Sequence, residues 1–463
     1  MSAITAQPFV PVLLAGGSGT RLWPISRQRF PKHLTRIVGQ ESFMQEAARR
    51  ALQLAPADHV LTVGAAVQEF DLKRQLGDVQ PQLTAGVLLE PSARNTAAAC
   101  GFAAHVAIHR FGPDACLWIC PSDHVFADEP VLVEAVARAR TLAAQGHIVT
   151  FGIQPSRAET GFGYIEAGEP IEAGGFRVAR FVEKPPLDDA IRMVESGRFQ
   201  WNSGMFVFRA ATLLDELNHH APAIAEPLRR ACGAGHSRGD AKLFASIPSE
   251  PIDKAVMEKS AHVAVLPIDP GWSDLGTWQA IWEFEQGDDA PRPEANVVRG
   301  DVVSLGTSGC YLSSTSKLVA AAGVQDLAVI ETSDAVLVAP RNGSDAVKAL
   351  VGALAAADRP EVDRHLESNR PWGTSRQIEQ DTRRALVSHK VRPDGRLLIV
   401  AGTSERVRLI LIDGEILYKD GSGEAVAATG ATISVGDGAT LELVNTSTGP
   451  AELIEIRMVD APS

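Results

Sequence analysis

The chain has 463 residues, 45% of them hydrophobic and 22% charged, with a formal net charge of −12 at pH 7. At roughly 100–200 residues per domain, that length calls for two to four domains, with ample apolar material for their cores. The acidic balance argues against a nucleic-acid partner, which needs a basic face, and no apolar run reaches the roughly 20 residues of a membrane-spanning helix. Segment 1–8 lacks the basic region and long apolar stretch of a secretory signal, so the expected location is the cytoplasm. The five cysteines (Cys100, Cys116, Cys120, Cys232 and Cys310) are scattered and odd in number. Cys116 and Cys120 share an apolar run, with no second pair to complete a zinc site. They read as small buried side chains kept reduced.

Residues 9–15, FVPVLLA, run straight into a glycine-rich turn, the pattern of a buried strand ending in a loop. Further strand-like runs fall at 59–63, 86–89, 115–120 and 148–152, and helix-like stretches at 42–54, 96–109 and 130–145. This alternation predicts an α/β domain with a mainly parallel sheet over 1–290. The texture then changes. Short β-rich pieces at 296–339 and a helix near 344–357 predict a β-rich segment over 291–357, and the charged stretch 358–369 reads as a linker. Past Arg370-Pro371-Trp372-Gly373 the chain is strand-rich, with turns at Pro393-Asp394-Gly395, Asp413-Gly414 and Asp437-Gly438. That predicts a small all-β domain over 370–463.

The central motif is Leu14-Ala15-Gly16-Gly17-Ser18-Gly19-Thr20-Arg21-Leu22-Trp23-Pro24, followed by Phe30-Pro31-Lys32-His33-Leu34. Glycines at 16, 17 and 19 let the backbone approach a phosphate and turn its N–H groups inward. Arg21 can fork onto phosphate oxygens, and Lys32 adds a mobile point charge. The Rossmann fingerprint fails because its third glycine is replaced by Leu22, and a Walker A loop fails because this one ends in Gly-Thr-Arg. A bland glycine turn has no use for Arg21 and Lys32.

GGSGTRLWP with a following PK resembles the N-terminal motif of the sugar-nucleotide pyrophosphorylases, and LWP points to the mannose-1-phosphate guanylyltransferase branch. The resemblance implies that Ala15, Gly16, Gly17, Gly19 and Thr20 wrap the nucleotide triphosphate while Arg21 and Lys32 stabilise the reacting phosphates. One departure is His33, where the family usually has Gln. Leu88-Leu89-Glu90-Pro91-Ser92-Ala93-Arg94-Asn95-Thr96 resembles the family segment that lies beside the base. Glu90 can accept from N1–H and N2–H of guanine, and Asn95 joins it in the nucleotide site. Glu90 reads equally well as a structural partner, and Asn95 or Thr96 as a cap for the helix that follows.

Asp123 closes a buried strand at Cys120-Pro121-Ser122-Asp123-His124, where ligands of open α/β sheets sit. Asp274 lies in Gly271-Trp272-Ser273-Asp274-Leu275-Gly276-Thr277-Trp278. The resemblance assigns both to Mg²⁺, an ion held by one or two carboxylates plus substrate phosphates; either aspartate alone reads equally as a cap or turn former. Thr160-Gly161-Phe162-Gly163-Tyr164-Ile165, Phe181-Val182-Glu183-Lys184-Pro185-Pro186 and Trp201-Asn202-Ser203-Gly204-Met205-Phe206 suit a sugar phosphate. Gly163 allows close approach, Glu183 and Asn202 suit hydroxyls, and Lys184 suits the phosphate, although an isolated Glu-Lys is ordinarily a solvated pair. Pro251-Ile252-Asp253-Lys254 completes the resemblance, which implies Asp253 as a further sugar contact.

The activity implied is transfer of GMP from GTP to α-D-mannose 1-phosphate by direct in-line attack, with Mg²⁺ as cofactor. GTP and mannose 1-phosphate are then the partners, and a homo-oligomer is compatible with the sequence. Two alternatives stay open: a pyrophosphorylase for another hexose 1-phosphate or NTP, and a non-catalytic nucleotide-sugar-binding protein. The tail, from Arg370, resembles the cupin-like domain that carries mannose-6-phosphate isomerase activity in two-domain relatives. Their histidine-rich metal run, Q-M-H-H-H-R-A-E-H-W, is matched here by 398–407, with Val400-Ala401-Gly402 for the clustered histidines and Arg406 for the last. Leu441 stands at the position of a later histidine, and only His389 remains. Such side chains offer a transition metal no ligand. Isomerase activity is expected to be absent, the domain serving stability or subunit contact.

Overall fold

The computed structural model describes residues 7–17, 19–232, 235–287, 292–421 and 423–459. Most of the N-terminal segment, Ser18 and the expected boundary at 290 lie outside the described residues.

The first domain is built on nine strands: β1 (Phe9–Ala15), β2 (Leu61–Ala65), β3 (Val87–Glu90), β4 (Cys116–Pro121), β6 (Ile148–Ile153), β7 (Gly163–Pro170), β8 (Phe176–Glu183), β9 (Phe199–Arg209) and β10 (Val263–Ile268). Two short strands, β5 (Val125–Phe126) and β11 (Trp272–Ser273), pair apart as an antiparallel ribbon. The main order is β3-β2-β1-β4-β9-β6-β10-β8-β7. The expected parallel sheet is the half β3-β2-β1-β4, plus the pair β6–β10. β9 enters antiparallel to both β4 and β6, and the β7–β8 hairpin adds an antiparallel edge. Mixed sheets of this kind arise when a later stretch of chain is inserted between crossover units.

β1 is buried almost throughout, as its unbroken apolar run requires of a strand covered on both faces. Helices α1 (Phe43–Leu52), α2 (Glu69–Val79) and α4 (Glu129–Ala144) cover one face, and α3 (Asn95–Phe111) the other. Their starts are chemically marked. Ser42 and Gln45 form a reciprocal capping box on α1, with bonds of 3.2 and 3.1 Å, and Asp128 caps α4 through Val131 N. The carboxyl ends of β1, β3 and β4 therefore open on one rim, which is where ligands bind in such sheets.

The β-rich segment stacks Val297–Arg299, Tyr311–Ser314 and Leu327–Thr332 in one parallel ladder, and Val302–Leu305 with Val319–Ala322 in a second. These are the coils of a short β-helix. Its Tyr311, Ala328, Ile330 and Leu337 share a core with Leu22, Trp23, Trp278 and Ile281 of the first domain, and the Trp278 and Tyr311 rings lie 5.3 Å apart. The helix Ser344–Ala356 adds Val347 and Val351.

Within 358–369, expected as a linker, residues 361–365 form a strap along 23–29, and Glu367–Arg370 is already a strand of the C-terminal sheet. Trp23 Nε1 donates to Glu361 O (2.9 Å), Gln28 N to Val362 O (3.2 Å), Arg29 N to Asp363 O (2.9 Å) and His365 Nε2 to Ile25 O (3.0 Å). The charged side chains gave a solvated look, but backbone carbonyls make these contacts. Arg27 is the hub, wholly buried. It donates to Pro24 O (2.6 Å), to Glu361 O and to Asp334 Oδ1 (2.8 Å). One guanidinium thus joins the segment after the glycine loop, the β-helix and the strap.

The C-terminal domain packs a six-stranded sheet against a four-stranded one. Its interior is apolar, with Ala401, Val407, Leu409, Leu441 and Leu443 buried. The remaining His389 is buried too, with Nε2 2.6 Å from Glu455 Oε2.

Removing one partner of a buried ion pair strands the other and costs about 3–5 kcal/mol. Asp334→Ala should lose that much in urea unfolding followed by tryptophan fluorescence. Arg29→Ala, at an exposed pair with Asp363, should change stability by less than about 1 kcal/mol.

Candidate active site

β1 delivers the chain to Gly16 and to Gly17, whose φ is +83°. At Gly19, with φ +59°, a Cβ would come within 2.7 Å of Ser26 Oγ and 2.9 Å of Lys32 Cβ. Only glycine fits, and the close approach seats Lys32 directly under the loop. Thr20–Leu22 form a single 3₁₀ turn with Leu22 buried. Arg21 stays half-buried and makes no hydrogen bond or ion pair with another described residue. Its Nη1 is 3.9 Å from the Cβ position of Gly161, which turns it toward the Thr160–Ile165 loop.

The Lys32 side chain is 4% exposed. Its Nζ donates to Asp123 O (2.5 Å), to Asp123 Oδ2 (3.2 Å) and to Asp274 O, and it stands 5.0 Å from the centre of the Phe43 ring. The two aspartates, distant in sequence, are brought together by this one ammonium. Burial alone would raise the Asp123 pKa, but the Lys32 ammonium beside it brings it below the ordinary carboxylate value. Asp274 Oδ1 accepts from Gly276 N at 3.1 Å. Among the described residues no group of three or more His, Cys, Asp and Glu could hold a metal. Two carboxylates fit an ion that completes its shell with phosphate oxygens and water, as Mg²⁺ does. Behind Lys32, His33 is sealed in, and burial drives its pKa down to about 4, so its ring is neutral.

Glu90 ends β3. Burial pushes its pKa up to about 7, and Oε1 has no hydrogen-bond partner. Asn95 opens α3 in the left-handed region, φ +66°, with Oδ1 accepting from Thr96 N at 2.8 Å. Thr96 Oγ1 accepts from Ile252 N at 2.9 Å, so it ties two loops together rather than capping its helix.

Gly163, Glu183, Lys184, Asn202 and Asp253 form a second cluster. A Cβ on Gly163 would lie 2.7 Å from Glu183 Oε2 and 3.3 Å from Asn202 Cβ. Lys184 Nζ donates to Glu183 Oε1 (2.6 Å), and Asn202 Nδ2 to Asp253 Oδ1 (2.9 Å). Asn202 Oδ1 accepts from Thr150 Oγ1 (2.9 Å) and Gly204 N (3.2 Å), which fixes its amide. Burial raises the Asp253 pKa to about 7, with the nearby Glu183 charge adding to the effect.

No direct hydrogen bond joins the two clusters among the described residues; aromatic rings span the gap. His124–Trp272, Trp272–Phe162 and Phe162–Trp201 stand edge to face at 5.4, 5.3 and 5.2 Å. Beside them is a cavity of about 240 Å³ lined by Arg157, Trp201, Trp272, Asp274 and Glu283. The motifs alone did not single out these rings. Trp201 precedes the candidate Asn202 by one position within β9, which places it on the opposite strand face, and Phe162 lies in the bend just before β7.

The parallel strands, the glycine loop and the lysine-bridged aspartates suit nucleotidyl transfer, and the family model described as Nucleotidyl transferase matches residues 10–290. A second, the MannoseP isomerase/GMP-like beta-helix domain, matches 300–354. Mannose-1-phosphate guanylyltransferase of Salmonella muenchen is 35% identical over 97% of this chain and 95% of its own length. The Escherichia coli K12 protein of the same name is 38% identical over 96% of this chain and 94% of its own. The crystal structure of mannose-1-phosphate geranyltransferase from Thermus thermophilus superposes with a TM-score of 0.67 at 31% identity, covering 75% of this chain and all of that one. The chain belongs to the nucleotidyl transferase family, in the branch of the mannose-1-phosphate guanylyltransferases. No helix among the described residues is long and apolar enough to cross a membrane.

The raised Glu90 pKa has a stability consequence. Between its ordinary value of 4.5 and about 7, the unfolded chain releases a proton that the folded chain keeps, so folding becomes less favourable as pH rises. Glu90→Gln removes that cost. Its melting temperature should match the wild type near pH 4 and exceed it above pH 7, by calorimetry at both pH values.

Proposed function

We propose that this chain transfers GMP from GTP to α-D-mannose 1-phosphate, giving GDP-mannose and pyrophosphate. The observation that carries this reading is Lys32 beneath the glycine loop, tying Asp123 to Asp274. A phosphate oxygen of the sugar phosphate attacks the α-phosphorus of GTP in line, and the bond to the pyrophosphate oxygen breaks. Nucleophile and electrophile come with the substrates, so no covalent enzyme intermediate is needed.

The protein must overcome repulsion between two anions. Loop N–H groups and Arg21 take the triphosphate with the Lys32 charge behind them, and Lys184 takes the sugar phosphate, so the positive charge is local on an acidic protein. Asp123 and Asp274 would hold Mg²⁺, which supplies charge neutralisation and orientation of phosphates. Glu90 lacks a partner in a buried setting. Guanine N1–H and N2–H would supply two donors, a pairing that adenine does not offer. Asn202 and Asp253, locked to each other, present fixed donors and acceptors to sugar hydroxyls, and Gly163 leaves room for the ring.

Loss of one charge-assisted contact made in the transition state costs roughly 10²–10³ in rate. Lys32→Ala and Arg21→Ala should each fall in that range. Asp274→Asn should lose turnover by orders of magnitude while keeping its circular dichroism, and EDTA should abolish wild-type activity until Mg²⁺ is restored. Full activity in Asp274→Asn would remove that residue from the site.

For the C-terminal domain, we propose that mannose-6-phosphate isomerase activity is absent. Leu441 and Ala401 fill the interior where a metal site would need at least three protein ligands. A coupled assay from fructose 6-phosphate with added Zn²⁺, Co²⁺ or Mn²⁺ should yield no mannose 6-phosphate. Isomerisation at a rate comparable to guanylyl transfer would overturn this reading.

A further inference from the structure

The β5–β11 ribbon sets Trp272 opposite Phe126 and Ser273 opposite Val125, which brings the indole beside His124. The rings meet at 84°, and Trp272 Nε1 lies 3.2 Å from His124 Nδ1. An indole N–H can only donate. His124 Nδ1 must therefore accept, so it carries no proton, the imidazole is neutral, and its one proton is on Nε2. That nitrogen faces the other way. It stands 4.0 Å from Asp123 Oδ1, too far for a hydrogen bond. No described residue supplies Nε2–H with an acceptor. The side chain is 13% exposed, so it is not sealed in the core.

The supports prevent relaxation of this arrangement. Phe162 packs edge to face on Trp272, and Trp201 on Phe162, so the indole is held from behind. On the far side, the Cβ position of Gly204 is 3.9 Å from His124 Cε1, ordinary van der Waals distance. Packing alone explains a buried ring. It does not explain a donor fixed by an indole, lacking an acceptor, and set beside Asp123.

We infer that His124 donates Nε2–H to a phosphoryl oxygen of the bound nucleotide, and that Trp272 is the positioning residue that fixes the required tautomer. This rests on the reading of Asp123 as part of the phosphate site. A neutral donor suits the position, because Lys32 already supplies a full charge at Asp123. It adds a hydrogen bond to the oxygen without setting a second cation against the first.

The test uses full-length protein with ¹⁵N-labelled histidine. Long-range ¹H–¹⁵N spectra distinguish the two tautomers, and the His124 signal is identified by its loss in His124→Gln. The wild type should show the Nε2–H form, with the Nε2 resonance shifting when GTP is added. Trp272→Phe should mix the tautomers. In steady-state kinetics, His124→Gln, whose amide can donate from near the Nε2 position, should keep most of kcat. His124→Asn, which reaches only as far as Nδ1, should lose roughly 10²-fold, with KM for GTP little changed. An active wild type showing the Nδ1–H form, or equal kcat in folded Gln and Asn variants, would overturn the inference alone. A wild type with no guanylyl transfer would overturn it together with the functional reading on which it rests.

Discussion

Everything at the site depends on one buried ammonium. Sinking a lysine to 4% exposure is costly unless each N–H finds an acceptor. Lys32 finds three on two residues: the carbonyl and carboxylate of Asp123 and the carbonyl of Asp274. The requirement works in both directions. The loops after β4 and around β11 must come to the lysine, and the glycine loop must leave room for it, so position 19 tolerates no side chain. The geometry of the phosphate site thus follows from satisfying a single cation.

The other carboxylates show the opposite electrostatics. Asp123 has a cation against it and is held below its ordinary pKa, whereas Glu90 and Asp253 are buried without one and rise to about 7. Groups left in such states cost stability and cluster where ligands complete them. On the proposed reading, Glu90 would meet the base and Asp253 the sugar, with the phosphates between them near Lys32. The protein is acidic overall, yet the proposed site offers each anionic substrate group a local cation or a set of N–H donors.

Much of this was legible in the sequence because its chemistry is local. An apolar run ending in glycines marks a strand and its loop, and Arg21 and Lys32 mark an anion site. Two carboxylates in separate motifs suit a phosphate-bound ion, and Lys32 joins those very residues. What was not legible has physical reasons. The strap at 361–365 binds largely through backbone carbonyls, which carry no side-chain signature, and nothing in the motifs marked Arg27. The antiparallel entry of β9 between β4 and β6 is decided by tertiary packing, since an apolar strand has the same pattern in either direction. Phe162, Trp201 and Trp272 carried no signal of their own in the motifs, and only their edge contacts show that they connect the Glu183–Asn202 cluster to His124.

The strap and β-helix also change what counts as the catalytic unit. Arg27 and Trp23 bind segments more than three hundred residues downstream, so the glycine loop is braced by chain well beyond the parallel sheet. The C-terminal β-domain starts from that brace, with an interior of leucine, valine and alanine. The account is tested most directly by turnover of the purified chain across the four NTPs and several hexose 1-phosphates, with pyrophosphate release as the readout. It predicts the highest kcat/KM for GTP with mannose 1-phosphate. A higher value for another pair, or no release with any of them, would contradict it.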